Sequence, residues 1–451
     1  MEIISKAHEP VLKILKRFQK KCAQGRLMKY CMEEAVEDGV LLFNLLTREM
    51  VLLNKEEWEK ILQNQTMKDR WFVVPEDTNE KELVDMVRWV FNAKRKHLET
   101  ITRFSIFTTM DCNARCFYCF EKGCSRVSMN QETAEKVVRF IKRHCGGKKV
   151  HLAWFGGEPL FNLPVIDTIC QGLNREGVEY YSTMISNGYL FDADAVRKAV
   201  ESWNLKTVQI TLDGTEEIYN RSKAYIYQEG SPFQVVMENI RRLLDASVSV
   251  TIRLNLDLYN AKDLLKLIDE LNARFGGEKG LHVYGAHLFD AENPQAYLHS
   301  EEGWHKRLEA MEQLEEKIRG YGMELSCRIP KSIKTNRCMA DCGSCVTILP
   351  TGNIGLCEHH HDSEFIGHLD CEGFDIEMVA TWRETVDGAP DCGDCTCYPN
   401  CINLKKCISS NICFERMKRE KFQRVRQQMR NEYKCWLNND TEEADQDPEI
   451  C

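Results

Sequence analysis

The sequence predicts an α/β protein built on an open, partial barrel of six strand–helix units, a (β/α)6 arrangement. A small α/β module precedes the barrel and a cysteine-rich region follows it. Three observations carry this reading. Six apolar strand candidates alternate with amphipathic helices between residues 101 and 326. Twelve of the 22 cysteines crowd between Cys327 and Cys413. The first 100 residues hold only Cys22 and Cys31, and no spacing of the kind that binds a cluster.

In residues 1–100, Val40–Phe43 and Met50–Leu53 flank Asn44–Glu49 and predict a β-hairpin or two short strands. Helices are expected over Lys55–Gln63 and Glu80–Lys96. In the second, Leu83, Met86, Val87, Val90 and Phe91 recur at helical spacing. The strand candidates of residues 101–326 are Phe104–Thr108, His151–Phe155, Tyr181–Ser186, Thr207–Leu212, Ser249–Leu254 and Gly280–Ala286. Helices such as Gln131–His144 and Asp192–Ser202 separate them, which predicts a parallel sheet joined by crossovers. In such barrels the reacting groups gather at the C-terminal strand ends. Residues 327–435 break into short cysteine-rich loops until Phe414–Tyr433 returns to helix, with Phe414, Met417, Phe422, Val425 and Met429 on one side. Residues 436–451, with Glu442, Glu443, Asp445 and Asp447, predict a disordered acidic tail.

The 451 residues are 43% hydrophobic and 29% charged, as expected of a globular chain of two to four domains. A net charge of −9 argues against a nucleic-acid surface. No apolar run approaches the roughly 18 residues of a membrane span. The first residues lack a signal-peptide core, so a cytoplasmic location is expected. In a reducing compartment, clustered cysteines point to metal or iron–sulfur ligation rather than to a disulfide scaffold.

Cys112, Cys116 and Cys119 read C-x3-C-x2-C. Three thiolates can hold three irons of a cubane [4Fe–4S] cluster and leave the fourth open to another ligand. Three buried thiols or a zinc knuckle are the plainer alternatives, but zinc sites more often show paired C-x2-C units. After the second strand comes Phe155-Gly156-Gly157-Glu158-Pro159, where paired glycines admit a close ligand and Glu158 can accept from an ammonium group. Ser186-Asn187-Gly188 ends the third strand, Thr211-Leu212-Asp213-Gly214 the fourth, and Arg253 and Asn255 the fifth.

With Tyr118 directly before the third cysteine, these segments resemble the radical S-adenosylmethionine (SAM) enzymes. The resemblance implies that the open iron holds the amino and carboxylate groups of SAM and that its reductive cleavage yields a 5′-deoxyadenosyl radical. It implies cofactor contacts at Tyr118, Gly156, Gly157, Glu158, Asn187, Thr211, Asp213, Arg253 and Asn255. The C-terminal region resembles the SPASM subfamily, through Cys342-x9-Gly352-x4-Cys357 and Cys392-x2-Cys395-x5-Cys401. It departs from that pattern at Cys407, which follows after five residues rather than three. The resemblance implies two auxiliary [4Fe–4S] clusters, so three in all. Cys338, Cys342, Cys357 and Cys407 would hold one, and Cys392, Cys395, Cys401 and Cys413 the other. Cys345 and Cys397 are spare and could replace a neighbour.

Glu358 follows Cys357, where related sulfatase maturases keep an aspartate base, which makes it a candidate catalytic base. The alternative is a solvated loop residue beside His359, His360, His361 and Asp362. Leu41–Leu53 and the helix after it look like the leader-binding modules of peptide-modifying SPASM enzymes, and Phe72–Asp77, leading to Thr108–Cys112, also looks like this group of peptide maturases. The expected function is a radical SAM maturase that installs a thioether or carbon–carbon crosslink in a ribosomally synthesised precursor peptide with a leader segment. The expected electron donor is a reductant such as flavodoxin or ferredoxin. An anaerobic sulfatase-maturating enzyme, converting Cys or Ser to formylglycine, is the alternative. An electron-transfer protein without catalysis is disfavoured by the intact G-G-E-P and by Tyr118.

Overall fold

The computed structural model describes residues 1–18, 25–93, 98, 100–227, 230–288, 301–324, 329, 333, 338–359, 364–385, 392–401, 404–406 and 415–438. It divides into two units. One gathers Met1–His97, Ser326–Gly343 and Ala380–Cys451, and the other Leu98–Leu325 and Ser344–Val379.

The first unit is built on strands β1 (Glu2–Ser5), β2 (Gly25–Leu27), β3 (Cys31–Val36), β4 (Gly39–Asn44), β5 (Met50–Leu53) and β6 (Val73–Pro75). β1-β5-β4-β3 form an antiparallel sheet, and β2 pairs with β6. β4 and β5 are almost wholly apolar because both of their faces are covered. Leu41, Phe43, Met50 and Leu52 pack with Met429 and Tyr433 of the helix Glu415–Leu437. Leu42, Val51 and Leu53 pack with Ile61, Met67 and Phe72. The hairpin strands foreseen in the sequence are β4 and β5. β1 and β3 were not foreseen: β1 is four residues long, and β3 is an end strand whose Glu33 and Glu34 break the apolar pattern.

The helix expected over Lys55–Gln63 ends early. Asn54 and Glu57 cap Lys55–Glu59 with a reciprocal capping box, a 3-10 turn follows at Ile61–Gln63, and Asn64 starts a new helix, Gln65–Asp69. An asparagine that can cap two N–H groups favours a new start over continuation. The helix Glu80–Ala93 buries Leu83, Val84 and Val87 against Val11, Leu15 and Tyr30.

The cysteine loop 392–401 belongs to this unit and is tied to it by hydrogen bonds. Tyr30 OH donates to the Gly393 carbonyl at 2.8 Å. Arg88 donates to the carbonyls of Tyr398 and Cys401, the latter at 2.7 Å. Tyr398 OH reaches Asp85 at 2.5 Å, and Asn400 Nδ2 reaches the Leu45 carbonyl at 3.1 Å.

The second unit holds β7 (Arg103–Thr109), β8 (Val150–Gly156), β9 (Tyr180–Ser186), β10 (Leu205–Leu212), β11 (Ser249–Leu256) and β12 (Leu281–His287), all parallel and paired in chain order. Between them run the helices Gln131–His144, Leu163–Arg175, Ala193–Glu201, Glu216–Lys223, Pro232–Asp245 and Ala261–Phe275. Right-handed crossovers place such helices on one face of the sheet, so the other face becomes the inside of a partial barrel. β13 (Cys345–Ile348) adds parallel to β7, followed by β14 (Asn353–Gly355) and β15 (Gly367–His368), both antiparallel. Side-chain alternation assigns the faces. Phe104 meets Phe140 on the helix side, whereas His151 stacks on Tyr181 at 4.7 Å on the inner side. The inner face is polar: His151 Nε2 pairs with Thr183 Oγ1 at 2.8 Å, and Tyr284 OH donates to Gln209 at 2.9 Å.

Asn44 holds the β4–β5 connection. It is fully buried; its Oδ1 accepts from Leu46 and Thr47 N–H at 2.9 and 3.0 Å, and its Nδ2 donates to the Trp71 carbonyl at 2.8 Å. Asn44→Ala strands these groups and should destabilise the first unit by about 2–4 kcal/mol, at roughly 1–3 kcal/mol per buried unpaired group. Chemical denaturation followed by Trp fluorescence measures it, and a loss below about 1 kcal/mol contradicts the role.

Candidate functional site

The three cysteines lie on the loop that leaves the C-terminal end of β7. Thr109 and Asp111 fix its start. The Gly157 N–H donates to the Thr109 carbonyl and the Glu158 N–H to the Asp111 carbonyl, both at 3.0 Å. Gly156 has φ +113°, and a Cβ at Gly156 or Gly157 would collide with those same carbonyl oxygens. The paired glycines therefore let the end of β8 close onto the start of the cysteine loop, backbone against backbone.

Burial pushes the Cys112 thiol up to about 12, with the nearby Glu158 carboxylate adding to the rise. Burial likewise raises Cys119 to about 11, and it raises Cys116. Thiols that resist ionisation this strongly become good anions only beside a cation. A donor set of three half-buried cysteines on one loop fits an iron–sulfur cluster in that respect. Among the described residues, no group of three or more His, Cys, Asp or Glu side chains is arranged to hold a single metal ion.

Glu158 is fully buried. Its carboxylate accepts from Ser186 Oγ at 2.8 Å, the Asn187 N–H at 2.8 Å and the Leu160 N–H at 3.3 Å. Burial raises its pKa to about 7 against the pull of these donors. Asn187 Nδ2 donates to Asn113 Oδ1 at 2.6 Å and points at Cys112 Sγ at 3.7 Å. Asn113 Nδ2, Arg253 Nε and Asn255 Oδ1 are buried without a hydrogen-bond partner. Orphaned polar atoms at strand ends are what a bound polar ligand such as SAM would satisfy, so these residues fit that cofactor.

A second cluster lies beside the loop. Asp213, at the end of β10, is fully buried and pairs with Lys223 Nζ at 3.3 Å. Tyr118 OH donates to both Asp213 oxygens, at 2.9 and 2.7 Å, and Lys223 Nζ reaches that hydroxyl at 2.8 Å. Asn255 Nδ2 donates to Asp213 Oδ1 at 3.2 Å. Burial works most strongly against the Lys223 ammonium, but Asp213, Tyr118, Cys116 and Tyr219 together outweigh it electrostatically and hold the pKa well above the ordinary lysine value. The Lys223 carbonyl accepts from the Arg115 N–H at 2.8 Å, which ties the cysteine loop to this helix end. Thr211 is half-buried and lies opposite Arg253 across the β10–β11 pair.

Glu358 turns inward. The chain leaving β14 passes along the inner face of β7, where Ser105 Oγ donates to Glu358 Oε1 at 2.6 Å. The residue is half-buried, yet burial of the carboxyl raises its pKa against the pull of Ser105 and of the Arg103 charge. His359 lies against Phe120 with ring centroids 4.8 Å apart, and Phe120 in turn faces Phe155. Nearby His151 is lowered to about 4 by burial and by Arg103, so it is neutral near pH 7.

In the first unit, Cys338 caps the helix Met339–Cys342, its sulfur accepting the Ala340 N–H at 3.4 Å, and the charge of Cys342 acts on Arg383. Cys392, Cys395 and Cys401 share one loop, in which the Cys395 N–H donates to the Cys392 carbonyl at 3.1 Å. Lys421 Nζ lies 3.0 Å from Cys401 Sγ. Buried Cys397 hydrogen-bonds Cys395, which raises its pKa far above the thiol range. Cys357 stands in the second unit, directly after β14. Cys407 and Cys413 lie outside the described residues.

Sequence reasoning missed Lys223, Asn113, Ser105 and Lys421. Asn113 lies within the cysteine motif but at one of its unspecified positions, the other three lie outside any motif, and Lys223 is more than 100 residues from Tyr118.

Residues 106–271 match the family model of the Radical SAM superfamily. A GTP 3',8-cyclase of Clostridium perfringens (strain SM101 / Type A) is 32% identical over 181 residues, 39% of this chain and 53% of that protein. A probable GTP 3',8-cyclase of Archaeoglobus fulgidus is 31% identical over 122 residues, 27% of this chain and 38% of that protein. The chain thus spans about half the length of the first of these relatives and less of the second. Among solved structures, native anSMEcpe with bound AdoMet and Cp18Cys peptide aligns with a TM-score of 0.56 at 16% identity, covering 75% of this chain and 99% of that one. Streptococcus suis SuiB bound to precursor peptide SuiA aligns at 0.51 and 13% identity, covering 84% and 95%. At these identities the likeness is one of fold.

The buried Asp213–Lys223 pair generates a test. Lys223→Met removes the cation and leaves Asp213 uncompensated, which should cost about 3–5 kcal/mol. Adding Asp213→Asn should recover a large part of that loss. A double variant as unstable as the single one contradicts the pairing.

Proposed function

We propose that this chain, a radical SAM enzyme by the domain at residues 106–271, installs a thioether or carbon–carbon crosslink in a ribosomally synthesised precursor peptide. The observation that carries the proposal is the inward-facing Glu358 carboxylate in the barrel that also carries the cysteine loop. The family implies SAM and a [4Fe–4S] cluster, which together supply a 5′-deoxyadenosyl radical that takes hydrogen from substrate. Cys112, Cys116 and Cys119 would hold that cluster. Two auxiliary clusters on Cys338, Cys342, Cys357 and Cys407 and on Cys392, Cys395, Cys401 and Cys413 are part of the proposal.

The chain's own residues have distinct tasks. Glu158 and the strand-end groups of Asn187, Arg253 and Asn255 would orient SAM. Asp213 and Lys223 hold Tyr118, and with it the cysteine loop, in one conformation. Phe107, Phe120 and Phe155 keep water from the inner face of the barrel next to Glu358. Once substrate has lost a hydrogen atom, closure of the new bond releases a proton and one electron, and the electron would pass to an auxiliary cluster. Glu358 would take the proton at its carboxylate, and Ser105 holds that carboxylate in place. A leader segment could add to the outer edge of β3, the end strand of its sheet among the described residues. A reductant such as flavodoxin or ferredoxin completes the partners.

Co-expression with a candidate precursor encoded nearby, followed by tandem mass spectrometry, tests the reaction. A crosslink appears as the loss of two hydrogens and an unfragmented ring. An aldehyde that reacts with hydrazine reagents would instead identify formylglycine formation. Glu358→Gln should lower crosslinked product by about 10²–10⁴-fold while 5′-deoxyadenosine is still released. Product at the wild-type rate places the base elsewhere.

The raised pKa of Glu158 sets a pH dependence. A carboxylate accepts an ammonium only when ionised, and this one ionises near pH 7 rather than 4.5. SAM affinity should therefore weaken as pH falls through about 7, by up to about tenfold per pH unit below it. Glu158→Gln should weaken binding and flatten the profile. Equilibrium dialysis from pH 5.5 to 8.5 reads both, and a flat wild-type profile refutes the assignment.

A further inference from the structure

The cysteine loop turns its polar groups toward the barrel and a different surface outward. Phe117, between Cys116 and Tyr118, is 54% exposed. Its ring meets Tyr259 at 6.1 Å, and Tyr259 is itself 47% exposed. Leu258, next to Tyr259, is exposed as well. So is Ile226, whose N–H donates to the Asn113 carbonyl at 2.9 Å. Four of the 13 large exposed hydrophobics among the described residues thus stand around one loop. Single exposed apolar residues are ordinary, but a group of them marks an interaction surface.

The exposed charges on the cysteine loop beside this patch are basic. On residues 111–128 the exposed charged side chains are Arg115, Lys122 and Arg126. The two acids of that stretch are half-buried: Asp111 lies 3.7 Å from Arg115 and 3.6 Å from Arg126, and Glu121 is the other. Tyr259 feels buried Asp213, half-buried Asp257 and, beyond them, exposed Arg221. This basic rim stands out on a chain whose net charge is −9.

We propose that the patch of Phe117, Ile226, Leu258 and Tyr259, rimmed by Arg115, Arg126 and Arg221, is the docking surface for the electron donor, a small acidic electron-carrier protein with an apolar margin around its redox centre. The proposal rests on the radical SAM reading of the cysteine loop. Each turnover needs one electron from outside. The reduced flavin or iron–sulfur centre of the carrier gives up that electron and the cluster held by Cys112, Cys116 and Cys119 takes it, with no bond made or broken. A carrier seated on Phe117 is one residue along the chain from Cys116 and two from Cys119. Opposite charge steers such an encounter, and the apolar centre holds it.

The test uses the full-length holoenzyme and compares two reductants. Dithionite is a small anion that needs no docking surface; reduced flavodoxin is the acidic carrier. The variant Leu258→Ser/Tyr259→Ser/Arg221→Glu changes no residue assigned to the cofactor or to catalysis. With dithionite, 5′-deoxyadenosine release should match the wild type. With limiting flavodoxin it should fall about tenfold or more through a raised KM for flavodoxin, the size expected when a complementary charge is reversed. Added salt should slow the wild type with flavodoxin and not with dithionite. Unchanged flavodoxin kinetics would overturn the proposal, as would equal losses with both reductants, or a loss confined to peptide affinity. Absence of SAM cleavage in the wild type with dithionite would instead overturn the radical SAM reading.

Discussion

The buried Asp213–Lys223 pair is the interaction on which the site depends. It lies where four segments meet: the end of β10, the helix Glu216–Lys223, the cysteine loop and the end of β11. Asp213 has no exposure, so its charge is tolerable only because Lys223, Tyr118 and Asn255 all point at it. Lys223 then uses its own carbonyl to accept the Arg115 N–H. A loop without regular structure acquires a single conformation in this way. The position of Cys116, between Arg115 and Phe117, follows from a charge pair more than 90 residues away along the chain.

Burial sets the electrostatic character of the barrel's inner end. Cys112, Cys119, Glu158 and Glu358 all have raised pKa values, and in each case burial is the first cause. Three of these, Cys112, Cys119 and Glu158, follow the C-terminal ends of β7 and β8 and make that end of the barrel a place where cations are favourable. Cationic iron and the ammonium of SAM would both meet that need. The same pattern separates roles. Glu158 is locked by three protein donors, whereas Glu358 accepts from one side-chain donor, Ser105.

The first unit follows another logic. Its central strands are buried on both faces, one by the C-terminal helix and the other by the short helices after β5. The cysteine loop 392–401 has little apolar surface of its own. It is held by Tyr30, Asp85, Arg88 and the Leu45 carbonyl. Cys397 joins the core of Leu41, Phe43 and Met429, and Cys395 packs against it, so burial and hydrogen bonds together keep these sulfurs in place.

Much of the fold was legible in the sequence. Apolar runs alternating with amphipathic helices defined β7–β12 to within a residue or two, because the 2.0 and 3.6 periods are local properties. The C-x3-C-x2-C and G-G-E-P segments were legible because their chemistry is packed into contiguous residues. β1 and β3 were not, since short end strands carry little apolar pattern. What the sequence determined by itself was the barrel class, the cysteine loop and the candidate ligand set. Only the tertiary structure decided that Lys223 is the partner of Asp213, that the chain after β14 turns Glu358 onto Ser105, and that the 392–401 loop shares a unit with the N-terminal sheet. Each of these joins residues far apart in the chain. Burial and pairing of charge are properties of the folded space around a residue, and no local spacing encodes them.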